Sequence, residues 1–305
     1  MVTQIGLIGL GKMGFPLAQN MIANGFEVYT HDLLPGLLER AREAGLKAYK
    51  DTDALLAQLS GRKVLWLMIP AGPAVDHAIE KLLPQLQPGD ILIDGGNSYF
   101  EDSVRRYRYL AERQIDFLDC GTSGGVGGAR HGVCTMIGGK PEVFAYCEKL
   151  FQTISVPDGY LYTGEAGSGH YVKMIHNGIE YGMMQAIGEG FEMLHKSRYE
   201  LDLKAVANVW NHGSVIRSWL IELAGNALGK DPHLSGLRGI VNASGEGQWT
   251  VETALREGIS IPVITLSLLM RYRSQEGDTF SGKLLAALRR EFGGHQVQVK
   301  EGGKG

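Results

Sequence analysis

Cysteine is scarce in this chain. Cys120, Cys134 and Cys147 are the only three in 305 residues, and no two of them form a Cys-x-x-C pair. An odd set of well-separated thiols favours free thiols and a reducing compartment, so a cytoplasmic location is expected. Long apolar runs are missing as well. The longest uncharged one, 258–270, is shorter than the roughly 20 residues of a membrane span, and the apolar start gives way to a glycine turn rather than a cleavage site. No block of one charge stands out: 30 basic residues face 33 acidic ones for a net charge of -3, which argues against nucleic acid as a partner. Metal-ligand spacing is also lacking. His170 and His176 lie six apart and no carboxylate completes a set with them, so no metal is expected.

Glycine, by contrast, is abundant, with 43 residues against a usual share of roughly 7%. That fits many tight turns and close backbone approaches. With 44% hydrophobic and 21% charged residues the chain reads as an ordinary globular protein, and its length suits two domains.

The amino terminus carries the first motif. Val2 to Ile8 reads as a buried strand running into Gly9-Leu10-Gly11-Lys12-Met13-Gly14 and then a helix from Phe15. In a dinucleotide-binding unit the first glycine makes the tight turn, the second admits the pyrophosphate, and the third lets helix pack on strand, with helix amides facing the phosphates. A second strand, Phe26 to Thr30, leads to Asp32, eighteen residues after Gly14. A carboxylate there accepts the ribose hydroxyls of NAD and repels the 2′-phosphate of NADP, and no cation stands at Leu33 or Leu34 to clamp that phosphate. The other role open to Asp32 is capping the helix that begins near Pro35.

Strand and helix then alternate, with strands at Val64–Ile69, Ile91–Ile93 and Ile115–Leu118 and helices at Val75–Leu83 and Ser103–Ala111. This predicts a Rossmann-type parallel sheet wound on both faces, with ligands outside the carboxyl ends of its strands. Those ends carry Met68-Ile69-Pro70-Ala71-Gly72, Asp94-Gly95-Gly96-Asn97-Ser98 and the loop Cys120-Gly121-Thr122-Ser123-Gly124-Gly125. The glycine-rich 159–169 marks a boundary, and the chain beyond it reads as helix throughout. The expected division is a dinucleotide-binding domain over 1–164 and an all-α substrate and oligomerisation domain over 165–305.

The most informative segment opens that second half. In a helix, Lys173, His176, Asn177 and Glu180 stand at offsets of zero, three, four and seven, which places amine, imidazole, amide and carboxylate on one face. Such a face either meets water or handles protons. Facing a dinucleotide crevice, it suggests hydride transfer from an alcohol whose hydroxyl proton passes to a neutral Lys173, with Glu180 serving a second proton step.

These residues resemble the short, decarboxylating, NAD-type form of 6-phosphogluconate dehydrogenase, within the β-hydroxyacid dehydrogenase group. The likeness runs through the amino-terminal glycine motif, Asp94-Gly95-Gly96-Asn97-Ser98, Ser123-Gly124-Gly125, His176-Asn177-Gly178-Ile179-Glu180-Tyr181 and Phe292-Gly293-Gly294-His295. It implies Lys173 as base and then acid, Glu180 as the final proton donor, and Asn97, Ser123, Gly124, Gly125, His176 and Asn177 around the sugar acid. Tyr181 and Arg271 match phosphate-holding positions, and Arg289 and His295 match tail residues contributed by a second subunit. NAD is implied along Gly9, Leu10, Gly11, Lys12, Met13, Gly14, Asp32, Ile69, Pro70 and Asn97. A homodimer or homotetramer with shared active sites is implied by the same likeness. The loop Ser244-Gly245-Glu246-Gly247-Gln248-Trp249-Thr250 departs from the longer members, since it lacks the lysine and threonine found there and carries Glu246, which repels a phosphate if it points inward. An unphosphorylated aldonate therefore stays open as substrate. So do a β-hydroxyacid dehydrogenase without decarboxylation and a non-catalytic NAD sensor.

Overall fold

The computed structural model describes residues 2–293 and 296. The chain divides into two compact units, one made of Met1–Ile179 with Gly245–Glu257, the other of Glu180–Ser244 with Gly258–Gly305.

The first unit alternates β1 (Gln4–Ile8), α1 (Gly14–Ala23), β2 (Glu27–His31), α2 (Pro35–Glu43), β3 (Lys47–Tyr49), α3 (Thr52–Leu56), β4 (Val64–Leu67), α4 (Pro73–Leu82), β5 (Ile91–Asp94) and α5 (Phe100–Ala111). It continues with β6 (Asp116–Ser123), α6 (Gly125–His131), β7 (Val133–Gly139), α7 (Pro141–Ile154) and β8 (Ser155–Gly164). The eight strands form one sheet in the order β3-β2-β1-β4-β5-β6-β7-β8. Reversal of strand order beside β1 opens the crevice in which such sheets bind ligands.

Alternation along the strands explains the double winding. Ile5, Leu7, Val64, Trp66, Ile91 and Ile93 are buried in one core, while Ile8, Leu65, Leu67 and Leu92 are buried in a second. Because successive side chains point to opposite faces, strands apolar at every position require cover on both sides.

Two expectations are corrected here. The loop placed after Leu118 is strand as far as Ser123, and the sheet is not wholly parallel, because β6 pairs antiparallel with β7 from Leu118↔Gly139 to Ser123↔Cys134. The connection carrying α6 is too short for a parallel crossover, so the chain turns back beside its own strand. The longer α7 connection restores parallel pairing between β7 and β8, and β8 takes up most of the segment read as a polar boundary.

Helix α8 (Ser168–His195) starts in the first unit and ends in the second. The second unit holds α9 (Leu203–Asn211), α10 (Trp219–Lys230), α12 (Pro262–Gln275) and α13 (Phe280–Gly293), while α11 (Gly245–Glu257) belongs to the first. The all-α character expected after 165 is observed. The closing segment read as a polar tail is helical through Gly293. Among the described residues, no helix is long and apolar enough to cross a membrane.

Candidate active site

The glycine turn after β1 is held by geometry that only glycine permits. A Cβ on Gly14 would lie 1.9 Å from the Gly9 carbonyl oxygen, and one on Gly9, whose φ is +102°, would lie 2.3 Å from the Met68 oxygen. Gly11, by contrast, faces open space. Asp32 pins the turn, its Oδ2 accepting from the Leu10 amide at 2.7 Å and its Oδ1 from the Leu34 amide at 2.8 Å. Leu34, not Asp32, is the N-cap of α2, so capping does not consume this carboxylate. Each of its oxygens retains a lone pair for a ribose hydroxyl. Lys12, Arg40 and Arg130 line a groove of about 470 Å³ beside the turn. A tight turn, an open Gly11 and an acid at the end of β2 together fit a dinucleotide.

The end of β4 meets this turn at Met68, and the end of β5 meets that of β4. A Cβ on Gly96 would lie 2.9 Å from the Ile69 oxygen, so the turn after β5 rests directly on the segment carrying Ile69 and Pro70. Asp94 shapes the turn, accepting from the Gly96 amide at 3.2 Å and the Ser98 hydroxyl at 2.6 Å. Asn97 is left exposed at its tip.

The start of α8 is pressed onto β6 and β7. A Cβ on Gly169 would lie 2.5 Å from the Met136 oxygen and 2.6 Å from the Asp119 oxygen. Asp119 is fully buried and binds the amides of Gly167 at 2.7 Å and His170 at 2.8 Å. Burial pushes its carboxyl above the ordinary value, against the opposing pull of His170 and the two amides. His170 Nδ1 meets the Ser103 hydroxyl at 2.7 Å. Thr250 ties α11 to the same helix by donating to the Met174 carbonyl at 3.0 Å.

This docking puts Lys173 against Gly121, where a Cβ would lie 2.3 Å from the lysine Cβ. Lys173 is 6% exposed and Asn177 8%. Lys173 Nζ donates to Asn177 Oδ1 at 2.8 Å, and His176 Nδ1 meets the same oxygen at 2.9 Å. The lysine nitrogen donates here, so the oxygen of Asn177 faces it, and the imidazole sharing that oxygen carries a proton on Nδ1. His176 Nε2 is then an acceptor for the Ser123 hydroxyl at 3.3 Å. Ser123, His176, Asn177 and Lys173 are thus linked by hydrogen bonds, with His176 and Lys173 both donating to Asn177 Oδ1. Gly124, with φ +116°, is the N-cap of α6, and Gly125 opens that helix.

Within the second unit, Tyr181 is buried and its hydroxyl meets Ser244 Oγ at 2.8 Å and accepts from the Ser244 amide at 2.9 Å. The Arg271 guanidinium lies 3.3 Å from the centre of the Tyr181 ring and donates to the Asn242 carbonyl at 3.2 Å. Glu180 is half-buried. The helix also carries Gly182, whose added Cβ would lie 3.3 Å from Val263. Glu246, in the first turn of α11 in the first unit, is buried. Arg289 falls within α13, its side chain outside the described part, and His295 lies outside the described residues. Among the described residues, no group of three or more His, Cys, Asp or Glu is placed to hold a metal ion.

Comparison with known proteins decides the family. A family model described as the NAD binding domain of 6-phosphogluconate dehydrogenase matches residues 4–164, and one for that enzyme's C-terminal domain matches 169–281 and 196–304. The chain belongs to the 6-phosphogluconate dehydrogenase family. It is 50% identical to the Bacillus subtilis protein YqeC, over 97% of this chain and 100% of that one. It is 43% identical to an NAD(+)-dependent, decarboxylating 6-phosphogluconate dehydrogenase of Haloferax volcanii, over 98% of this chain and 99% of the relative. The solved 6-phosphogluconate dehydrogenase of Plasmodium falciparum is 33% identical, with a TM-score of 0.82 over 99% of this chain and 67% of that longer one.

In this family member, sequence reasoning missed the residues that place the others. Asp119 offered no signal beyond ending an apolar run, and Gly121 was one glycine among several. Trp249, whose ring centre lies 5.2 Å from that of Tyr99, was visible only as a loop aromatic.

Proposed function

We propose that this chain catalyses the oxidative decarboxylation of 6-phosphogluconate to ribulose 5-phosphate and carbon dioxide with NAD. The observation that carries the reading is the buried Lys173–Asn177 pair, continued through His176 to Ser123. When bound, NAD supplies the hydride acceptor. Gly9, Leu10, Gly11, Lys12, Met13 and Gly14 hold its phosphates, Asp32 its ribose, and Ile69, Pro70 and Asn97 its reactive end.

Lys173 accepts the proton of the β-hydroxyl as hydride leaves the β-carbon, and Asn177 fixes the amine that takes it. The resulting β-keto acid loses its carboxyl group as carbon dioxide, and Lys173 returns the proton to the keto oxygen as the bonding pair moves inward to form an enediol. Glu180, seven residues further along α8, then protonates the carbon that bore the carboxylate. Ser123, Gly124, Gly125 and His176 orient the acid and its hydroxyls, while Tyr181, Arg271, Arg289 and His295 receive the phosphate. The working form is a homodimer or homotetramer. The near full-length match to a decarboxylating, NAD(+)-dependent enzyme supports the reaction and the cofactor.

The test is a paired assay of NADH formation and carbon dioxide release with 6-phosphogluconate, gluconate and 3-hydroxyisobutyrate. Equal release of NADH and carbon dioxide, greatest with 6-phosphogluconate, is expected. NADH without carbon dioxide would overturn the decarboxylation, and preference for gluconate would overturn the phosphate.

A further inference from the structure

Arg106 lies in the middle of α5 and is 1% exposed. A guanidinium is rarely buried this far unless its donors are met, and here every nitrogen has a partner. Nε donates to Asp76 on α4 at 2.8 Å. Nη1 donates to Ser98 Oγ at 3.1 Å and to Asp94 Oδ2 at 3.3 Å. Nη2 donates to the Gly72 carbonyl at 2.9 Å. Gly72 closes the segment that carries Ile69 and Pro70, and Asp94 and Ser98 close the turn that carries Asn97. The two turns touch where Gly96 meets the Ile69 carbonyl.

We infer that Arg106 is a positioning residue that fixes the Ile69–Gly72 segment and the Asp94–Ser98 turn as one rigid body, so that cofactor and sugar acid are aligned by a single buried cation. The inference rests on the proposed function for the identity of the sugar acid, though not for the cofactor. Its neighbour Arg105 has no such part. Half exposed, it pairs among the described residues with Asp76 and Asp102 at the surface. Lysine at 106 keeps the charge but not the planar fork, and one ammonium cannot reach Asp76, Gly72 and the Asp94–Ser98 pair together. Losing one tie lets both turns shift at once, and a displacement on the order of 1 Å is enough to cost about a hundredfold in an aligned reaction.

The test uses Arg106→Lys in the full-length protein, with NADH affinity read by fluorescence without sugar acid, then kcat and KM for 6-phosphogluconate. NADH affinity is expected to weaken and sugar-acid KM to rise, each by roughly tenfold, with kcat reduced and the unfolding temperature lowered but the protein still folded at the assay temperature. A folded variant in which both constants stay at wild-type values would overturn the proposal, as would one in which only one ligand is affected. Should Arg106→Lys fail to fold, Asp76→Asn loosens the guanidinium from its outer side while leaving it in place, and the same paired loss at smaller size is expected. A wild-type protein that binds NADH but does not turn over 6-phosphogluconate would refute the proposed substrate and leave the NADH measurement free to decide the role of Arg106.

Discussion

Gly121 is the position where the structure makes its sharpest demand. Adding one methyl there puts a carbon 2.3 Å from Lys173 Cβ and 2.9 Å from its Cγ, with the Gly169 carbonyl at 3.0 Å. Ordinary van der Waals contact begins at 3.4 Å, so the lysine stem must retreat by about 1.1 Å from 2.3 Å to reach it. Because Cβ is fixed to the backbone, the shift has to come from α8 itself, which is already pressed against the sheet through Gly169 and carries Lys173 with it. Overpacking of this kind costs roughly 1–3 kcal/mol of stability. A nucleophile or base displaced by about 1 Å loses on the order of a hundredfold in rate, close to 2.7 kcal/mol of barrier. Gly121→Ala is therefore expected to fold, to bind NADH as the wild type does, and to lose about a hundredfold in kcat. The assay is steady-state NADH formation with 6-phosphogluconate, alongside NADH titration and thermal unfolding. Near wild-type turnover in a folded variant would refute the placement of Lys173 by Gly121.

Lys173→Met should retain NADH binding and lose about 10²- to 10⁴-fold in hydride transfer, and Glu180→Gln should slow release of ribulose 5-phosphate; full activity in either, by coupled assay, would sink the role given to it. Catalytic efficiency should favour NAD over NADP, and Asp32→Ala with Leu33→Arg should shift it toward NADP, since Leu33 is 82% exposed and free to carry a longer cationic chain outward. Equal efficiency with both cofactors in the wild type would remove Asp32 from ribose recognition. Burial pushes the Asp76 carboxyl up, yet hydrogen bonds from Arg106 and Arg105 outweigh this and leave it below its ordinary value. A lowered acid contributes stability in full above its unfolded value near ~3.9 and loses it as pH falls through the lower folded value. The stability gap between wild type and Asp76→Asn should therefore be wide at neutral pH and narrow in acid, measured by denaturant unfolding across that range, and a gap that does not change with pH would contradict the pairing.

Much of the first half was legible because its signals are local. Strands such as Val64–Leu67 are apolar at every position, and the Gly9–Gly14 turn comes after one of them at a fixed distance. The polar face of α8 was legible for the same reason, since its spacing matches the helix repeat. What was not legible depends on partners distant in sequence. Gly121 to Ser123 look like loop because their side chains are small or polar, and only pairing with Cys134 to Met136 makes them strand. Arg105 and Arg106 are adjacent and identical in the helix expected over Ser103–Ala111, and nothing local tells them apart. A turn of one residue around α5 sends the first to the surface and the second into the core, where Asp94 and Gly72 wait from other elements.

The double duty of Asp32 bears on how cofactor choice can evolve. The carboxylate that would read the ribose also clamps the Leu10 and Leu34 amides, so the residue under selection for specificity is a mechanical part of the phosphate turn. A lineage moving toward NADP loses affinity when it deletes the acid first, even as preference shifts, because that step leaves the Leu10 amide without its acceptor and loosens the binding of either dinucleotide. The accessible route passes through a neutral residue that still accepts from Leu10, asparagine or serine, before a cation arrives at the neighbouring position. The order of substitutions is thus constrained by two hydrogen bonds, and intermediates taken in the wrong order should bind both cofactors poorly.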